Sequence, residues 1–446
     1  MYIIIIGAGE VGYNLAKLLS YEGHDIVVID HDQERYQRTA ENLDVQAILG
    51  NGTSYRILEQ AGIKSADLLV AVTTNDEVNI ISALMAKRYG VERTIARIRN
   101  PEFLHENAPM NAKNLEIDLL IHPESETAKA TIMLLKQTAA TDVIEFCDGK
   151  VSLIGIQLDR SCPILEIPLN QLAQKYRNLV FRTIAIQRKD ITKIPKGDDI
   201  FLPNDRIFVI TKTEAIPDVI RLAGKENEKI ENIMILGGGQ IGYLIAEELE
   251  KDHNVKLIEA SVDKSQELAE KLSKSLVIQG DGRDINLLAV EGIIDMDAFI
   301  AATGDDETNI ISCLLAKHLQ VPRIISLINK PAYTPILPTI GINAYLSKQM
   351  ITVNGILKFI RRGEIVSVAS IPGIAAEAIE MIPKPGSKIT KKVLAEVHFP
   401  RNAILGAVMR GDTVFIPVGS TQIQPGDKVV IFAMPSAIRE VEEMFN

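Results

Sequence analysis

The sequence predicts an α/β protein: two Rossmann-type, doubly wound parallel-sheet domains, each followed by a small β-rich α+β domain. Three observations carry that expectation. Strand-like apolar runs alternate with helical stretches, a glycine-rich turn follows the first strand, and the whole pattern occurs twice along the chain.

In the first copy the strand-like runs are Tyr2 to Ile6, Asp25 to Ile29, Val45 to Leu49, Leu68 to Val72, Thr94 to Ile98 and Ile117 to Ile121. Helical segments of period 3.6 separate them, which means right-handed βαβ units and a parallel sheet. Gly23, Gly62 and Gly90 stand where helices should stop, and Thr53 and Asn75 where N-caps should be. After about Asp142 the texture changes to short alternating strands with turns at Asp148-Gly149, Lys196-Gly197 and Pro203-Asn204-Asp205. Ala223 to Asn232 reads as a charged linker, and the second half changes texture after about Arg361. The expected domains are therefore 1–140 and 230–361 (Rossmann) and 141–224 and 362–446 (small).

The duplication is explicit. Gly7-Ala8-Gly9-Glu10-Val11-Gly12 recurs 230 positions later as Gly237-Gly238-Gly239-Gln240-Ile241-Gly242. The same offset carries Gly50-Asn51-Gly52 to Gly280-Asp281-Gly282, Asp76-Glu77 to Asp306-Glu307, Asn79 to Asn309 and Pro101 to Pro331. The tails "IPKGDDIFLPNDRIFVIT" and "IPVGSTQIQPGDKVVIFA" match at an offset of 222.

Composition narrows the function classes. Hydrophobic residues are 46% and charged residues 24%, the balance of a globular protein. A net charge of -10 opposes nucleic acid or an anionic membrane as a direct partner. There is no basic leader, and no apolar run long enough to span a bilayer, so a membrane role is expected to go through a partner. Cys147, Cys162 and Cys313 show no CxxC pairing and read as reduced, buried thiols of a cytoplasmic protein.

The glycine motif gains its meaning from context. Its first glycine ends a buried strand, its third lies inside a helical run, and Asp30 closes the second strand. Glycines there let backbone N–H groups at a helix N-terminus approach phosphates, and an acid at that strand end accepts hydrogen bonds from ribose hydroxyls. An unphosphorylated ribose is expected, hence NAD or an adenine nucleotide rather than NADP. Thr73 and Thr74 follow the fourth strand, beside the crevice of an open α/β sheet. Arg97 and Arg99 lie two residues apart, on one face of an extended segment, as two cations converging on a polyphosphate would. The second copy keeps an acid, Glu259, but has Leu327 and Asn329 in place of those arginines, so a ligand there would lack that cationic grip. Glycines kept only for packing remain an alternative for either copy. The acids Asp76-Glu77 and Asp305-Asp306-Glu307 read as helix N-terminal charges, with a cation site as the less simple alternative.

These residues resemble the potassium-conductance regulatory domains, also called potassium-transport nucleotide-binding domains. In doubled form they look like the TrkA-type peripheral subunits of Trk potassium uptake systems. The resemblance rests on "IIIIGAGEVG", Asp30, "AVTTNDEVNI", "IARIRNPE", "IDLLIHPE" and their second-half counterparts, and covers essentially the whole chain. It implies a homo-oligomer, dimer or tetramer, that forms a ring of regulatory domains. It also implies binding of NAD(H) and of ATP or ADP, and docking onto a Trk-type membrane pore subunit. By resemblance the phosphate loops fall on Gly7, Ala8, Gly9, Glu10 and Val11 and on Gly237, Gly238, Gly239, Gln240 and Ile241. The ribose acids are Asp30 and Glu259, with Thr73, Thr74 and the Thr303-Gly304 pair on the base side and Arg97 and Arg99 on the phosphates. Asn51 stands where the family often has the aspartate that Asp281 retains. Ligand-dependent angles between paired lobes would then gate the pore. The competing class is an NAD-dependent oxidoreductase, for which His122-Pro123-Glu124 is the best catalytic candidate, although a helix-start turn explains those residues more simply. A scaffold that binds no ligand is the third reading.

Overall fold

The computed structural model describes every residue except 105–107, 109, 138, 177–178, 190, 227–228, 343, 361–364, 372–373 and 375. The expected boundary at Arg361 and part of the Ala223 to Asn232 linker lie outside the described residues.

The first half runs β1 (Tyr2–Ile6), α1 (Glu10–Tyr21), β2 (Asp25–Asp30), α2 (Gln33–Asn42), β3 (Gln46–Leu49), α3 (Tyr55–Gln60), β4 (Leu68–Ala71), α4 (Asp76–Arg88), β5 (Arg93–Arg97), β6 (Leu119–Ile121) and α5 (Pro123–Lys136). It continues with β7 (Asp142–Phe146), β8 (Val151–Gln157), α6 (Leu169–Lys175), β9 (Phe181–Arg188), β10 (Ile191–Lys193), β11 (Arg206–Lys212) and α7 (Ile216–Leu222). The second half repeats the course as β12 (Asn232–Leu236), α8 (Gln240–Leu249), β13 (Asn254–Glu259), α9 (Val262–Lys271), β14 (Leu276–Gln279), α10 (Ile285–Val290), β15 (Ala298–Ala301), α11 (Asp306–His318), β16 (Arg323–Leu327), β17 (Ala344–Leu346) and α12 (Lys348–Ile360). It ends with β18 (Ile365–Ser370), β19 (Glu377–Met381), β20 (Ala403–Arg410), β21 (Thr413–Phe415), β22 (Lys428–Ala433) and α13 (Pro435–Phe445).

Both large sheets are parallel, in the order β3-β2-β1-β4-β5-β6 and β14-β13-β12-β15-β16-β17. Ile3, Ile4 and Ile5 are wholly buried because helices cover both faces, which is why these strands read as continuous apolar runs rather than alternating ones. The strand order reverses between β1 and β4, and again between β12 and β15, which opens a crevice at the strands' carboxyl ends. Gly23, Gly62 and Gly90 all adopt the left-handed conformation expected after a helix. Asn75 caps α4, its Oδ1 accepting from Val78 N at 2.7 Å. Thr53 is not the cap of α3: Ser54 holds that place, while Asn51 Oδ1 accepts from both Thr53 N and its hydroxyl.

Two compact units divide the chain, and they do not follow chain order. One comprises Met1–Glu126 with Lys348–Ile360; the other comprises Thr127–Ser347 and the chain after Ile360. The helix after each parallel sheet is thus exchanged. Ala128, Leu134 and Leu135 of α5 join the core of Ile233, Ile235, Ile245 and Leu257. Val353, Ile356, Leu357 and Ile360 of α12 join Ile3, Ile5, Leu15 and Leu19. Equivalent arginines hold the two helix ends: Arg93 Nη1 donates to Ile360 O at 2.7 Å, and Arg323 Nη2 to Leu134 O at 2.7 Å. A cation at a helix C-terminus complements its dipole. This exchange departs from the expected domains 1–140 and 230–361, because an apolar stripe marks which face is buried but not which of two similar sheets buries it.

The small domains form antiparallel sheets in the order β10-β9-β11-β8-β7 and β18-β19-β22-β20-β21. One face of each shares a core that includes Phe208, Ile210, Val430 and Phe432. The internal repeat reaches their ion pairs, each formed on a buried aspartate. Arg188 donates two bonds of 2.8 Å to Asp205, and 222 positions later Arg410 donates bonds of 2.8 and 2.7 Å to Asp427.

Candidate nucleotide site

The loop between β1 and α1 has a shape that glycine alone permits at two positions, for different reasons. Gly7 sits at φ +100, and a Cβ there would lie 3.0 Å from Thr73 N. Gly12 lets α1 press on the loop, since a Cβ would lie 1.8 Å from Gly7 O. Gly9 has no such reason. Its backbone is ordinary (φ -64, ψ -178), and a Cβ would meet nothing within 4 Å. The second copy repeats this division: Gly237 at φ +102, Gly242 1.9 Å from Gly237 O, and Gly239 facing open space. Both third-position glycines head a helix of ten or more residues as its N-cap, without a side-chain capping bond, so the first-turn N–H groups face the crevice.

Asp30 holds this loop. It is 5% exposed, and its carboxylate accepts from Ala8 N at 2.5 Å and Asp32 N at 2.9 Å. Glu259 does the same for Gly238 N and Ser261 N, both at 2.8 Å. The extra glycine makes room chiefly for Leu268 and then for the longer acid: a Cβ on Gly238 would come 2.2 Å from Leu268 Cδ1 and 3.0 Å from Glu259 Oε2. Ala8-Asp30 and Gly238-Glu259 are matched pairs.

The opposite wall depends on a buried amide. Asn79 is wholly buried in α4; its Oδ1 accepts from Thr73 N and Thr73 Oγ1 at 2.9 and 2.7 Å, and its Nδ2 donates to Arg97 O at 2.9 Å. One side chain thereby joins the ends of β4 and β5. Asn309 makes the corresponding bonds to Thr303 and Leu327 O. The acids of the next turn are also engaged: Asp76 accepts from Arg99 N and Asn100 N, and Asp306 from Asn329 N and Lys330 N. Glu307 is pulled down to about 2 by Lys330 and Tyr333. These acids anchor the loops after β5 and β16, as helix N-terminal charges.

A cavity of about 260 Å³ opens between these walls in the first copy. Of the expected residues, Gly7, Gly9, Glu10, Val11, Thr73, Thr74 and Arg97 line it; Ala8, Asp30, Asn51 and Arg99 do not. Of the pair, Arg97 at the end of β5 lines the cavity and Arg99 does not. Arg97 is 9% exposed, whereas Arg99 is exposed, its backbone turned by the Asp76 bonds. Burial draws the Arg97 guanidinium below its usual range, nearby Glu124 opposes that shift, and Arg99 adds to it. Arg35 and three residues of the exchanged α12, Lys348, Gln349 and Thr352, complete the wall. Sequence order gives no hint of the α12 residues, whereas the repeat of Asn79 at 309 was a usable signal for the amide.

The second copy's cavity, about 390 Å³, is lined by Gly237, Gly239, Glu259, Asp281, Thr303 and Gly304; Gly238, Gln240 and Ile241 stand outside the lining. Leu327 and Asn329 bring no cation. Cations that the comparison of those two positions does not reach, Arg283 and Lys264, line the cavity from other elements. Arg283 forms a 2.7 Å ion pair with Asp281, which lowers the aspartate's pKa.

His122 is 3% exposed, and both ring nitrogens are engaged at the start of α5: Nδ1 with Ser125 Oγ at 2.8 Å and Nε2 with Arg99 O at 3.0 Å. That is the helix-start role rather than the geometry of a poised base.

The fold and these loops define a protein of two Rossmann domains, each with a glycine-rich loop and a small antiparallel companion. The TrkA-N domain matches residues 3–123 and 233–348, and the TrkA-C domain residues 379–446. The Trk system potassium uptake protein TrkA of Azorhizobium caulinodans is 33% identical, over 100% of this chain and 99% of its own length. TrkA homolog 2 of Methanosarcina mazei is 36% identical over 100% of both. The chain belongs to the TrkA family of Trk system potassium uptake proteins. Its fold also matches solved structures: the GsuK RCK domain (TM-score 0.61, 17% identity, 100% of this chain and 94% of that one) and the GsuK channel bound to NAD (TM-score 0.61, 18% identity, 100% and 78%).

Proposed function

We propose that this chain is the nucleotide-sensing regulatory subunit of a Trk-type potassium transporter. It binds NAD(H), ATP and ADP at its glycine loops and gates a membrane pore subunit by changing conformation. The observation that carries the reading is Gly9, with Gly239 as its counterpart: no protein atom requires a glycine there, and a ligand phosphate approaching the helix N-terminus does. The names of the relatives, Trk system potassium uptake proteins, support the transport role. The GsuK channel, solved with NAD and with ADP, supports the ligand class. In this reading Asp30 and Glu259 also receive ribose hydroxyls, since a carboxylate offers about four acceptor positions and two backbone donors leave some open. Thr73, Thr74, Thr303 and Gly304 lie on the base side, Asn51 and Asp281 at the rim, and Arg97 on the phosphates, with Arg99 acting on them through its field.

The subunit works without catalysis, as a homo-oligomer on the cytoplasmic face of the membrane. Among the described residues no helix is long and apolar enough to cross a bilayer, and in this reading contact with the membrane goes through the pore subunit. The four lobes, 1–140, 141–224, 230–361 and 362–446, are the functional divisions, with α5 and α12 exchanged between the two Rossmann lobes. A ligand moves such a switch only through unequal affinity for its two states. Calorimetry with ATP and ADP tests the assignment: Arg97→Ala should abolish the preference between them, and an unchanged preference would remove Arg97 from the phosphate site. Membrane copurification with the pore subunit, with and without ATP, tests the partner; loss in both conditions contradicts it.

A further inference from the structure

The first site contains more positive charge than its own half of the chain supplies, and that charge is held by a buried acid. Lys348 opens α12 and lines the cavity beside Gly7 and Gly9. Its Nζ lies 3.4 Å from Glu124 Oε1, and Arg97 Nη2 lies 3.8 Å from the same oxygen. Glu124 is 4% exposed, and its second oxygen, Oε2, is buried without a hydrogen-bond partner. Arg97 Nε, on a side chain that lines the cavity, is buried without one too. Two cations thus share one carboxylate oxygen, while an acceptor and a donor beside them stay unsatisfied. Such a half-satisfied buried network is costly, and a ligand that brings its own oxygens supplies the acceptor that Arg97 Nε lacks. Glu10, the acid that lines the cavity, is occupied by Arg38 at 2.6 Å. The cavity therefore has an excess of positive charge at its α12 end, beside the α1 N-terminus.

Resting on the nucleotide reading above, we propose that Lys348 is a phosphate-binding residue of the first nucleotide site, and that Glu124 is an internal anion holding Lys348 and Arg97 until a polyphosphate displaces it. The cation of the second half's helix then completes the ligand site of the first half. Affinity depends on Lys348 more strongly as the ligand gains phosphates, and Glu124 competes with the ligand instead of binding it.

Calorimetry on the full chain tests this with ATP, ADP and adenosine, read at the site whose affinity Arg97→Ala lowers. Lys348→Met should weaken ATP about tenfold, ADP less, and adenosine not at all, while Lys348→Arg restores most of the ATP affinity. Glu124→Gln should tighten ATP severalfold, and the gain should shrink in the Glu124→Gln, Lys348→Met double variant. Unliganded melting temperatures of the variants establish that they fold. ATP affinity unchanged in Lys348→Met overturns the phosphate role, and ATP weakened by Glu124→Gln overturns the competing-anion role. A parent chain that binds ATP while Lys348→Met has no effect refutes this inference alone; a parent that binds no nucleotide refutes the functional reading and this inference with it.

Discussion

Gly9 and Gly12 belong to one motif three residues apart, yet replacing each by alanine should have opposite consequences. At Gly9 the added methyl meets nothing within 4 Å and the backbone angles suit any residue. Restricting the unfolded chain stabilises by about 0.4–1 kcal/mol, and losing a tolerated N-cap costs a similar amount. The net change in folding should stay within about 1 kcal/mol. At Gly12 the methyl would lie 1.8 Å from Gly7 O, a backbone atom fixed by the φ of +100 at Gly7. Overpacking costs about 1–3 kcal/mol and occasionally more, and a gap this short belongs at the upper end. The gain of about 1 kcal/mol in helix propensity leaves a loss of about 2 kcal/mol or more. Binding should reverse the order of interest. A nucleotide at about 100 times its dissociation constant adds roughly 2.7 kcal/mol to the parent, and Gly9→Ala should lose that gain while its unliganded melting temperature holds. Thermal unfolding of the three chains, with and without ATP, is the assay. If Gly9→Ala melts as early as Gly12→Ala, or is stabilised by nucleotide as fully as the parent, the open space at Gly9 has no connection with a ligand.

Three further outcomes follow from the same geometry. Asn79→Ala strands Thr73 N–H and Arg97 C=O in a buried setting, at about 1–3 kcal/mol each, so urea denaturation should show a loss of about 3 kcal/mol, with a similar loss for Asn309→Ala. Burial alone would raise Glu250, but bonds from Lys274 N and from the amide and hydroxyl of Ser275 and the amide of Ser273 outweigh it and bring it from 4.5 to about 2. A carboxylate lowered in the fold stabilises fully above about pH 4.5, and this share is lost as the pH falls through about 2. Glu250→Gln should therefore narrow the difference between urea midpoints at pH 6 and pH 3; an unchanged difference excludes this loop anchor as an acid-sensitive contact. Cys147 and Cys313 are wholly buried with thiols pushed up to about 12, so a disulfide-forming reagent at pH 8 should not titrate them until the chain unfolds.

Much of this was legible from the residues. The first-copy strands fall within a residue or two of their apolar runs because a parallel strand covered on both faces must be apolar throughout, and the offset of 230 carried the fold into the second half. The glycine loop and Arg97 were legible because their chemistry is local. Other features were hidden for physical reasons. Period-two spacing placed Arg99 with Arg97, but Asp76, on a different element, turns the backbone between them. Thr53 and Ser54 are equally good caps by type, and only the bond to Asn51 decides between them. The exchange of α5 and α12 was illegible because duplicated sheets offer the same apolar surface, and with it Lys348 was lost from the expected site.

The two sites then differ in a way the sequence comparison stated incompletely. Matching Arg97 and Arg99 to Leu327 and Asn329 makes the second copy look stripped of phosphate-binding charge. The structure shows that its charge occupies other elements. Where the second copy has Lys264 and Arg283, the first has Glu34 and Thr53 at the equivalent positions, and where the first has Arg97 the second has leucine. The loops, the acids that hold them and the amides Asn79 and Asn309 are preserved in both. Positive charge comes from Arg97 on β5, Arg35 on α2 and Lys348 on α12 in one site, and from Arg283 in the β14–α10 turn and Lys264 on α9 in the other. If both cavities take a nucleotide, as proposed, a shared loop with relocated cations suits different charge distributions along the ligand rather than one active and one vestigial site. On the proposed reading, the Asp281 carboxylate paired with Arg283 should make the second site the weaker for added phosphates. Removing it with Asp281→Asn should raise the second site's affinity for ATP relative to AMP, and calorimetry showing an unchanged ratio would sever Arg283 from the ligand.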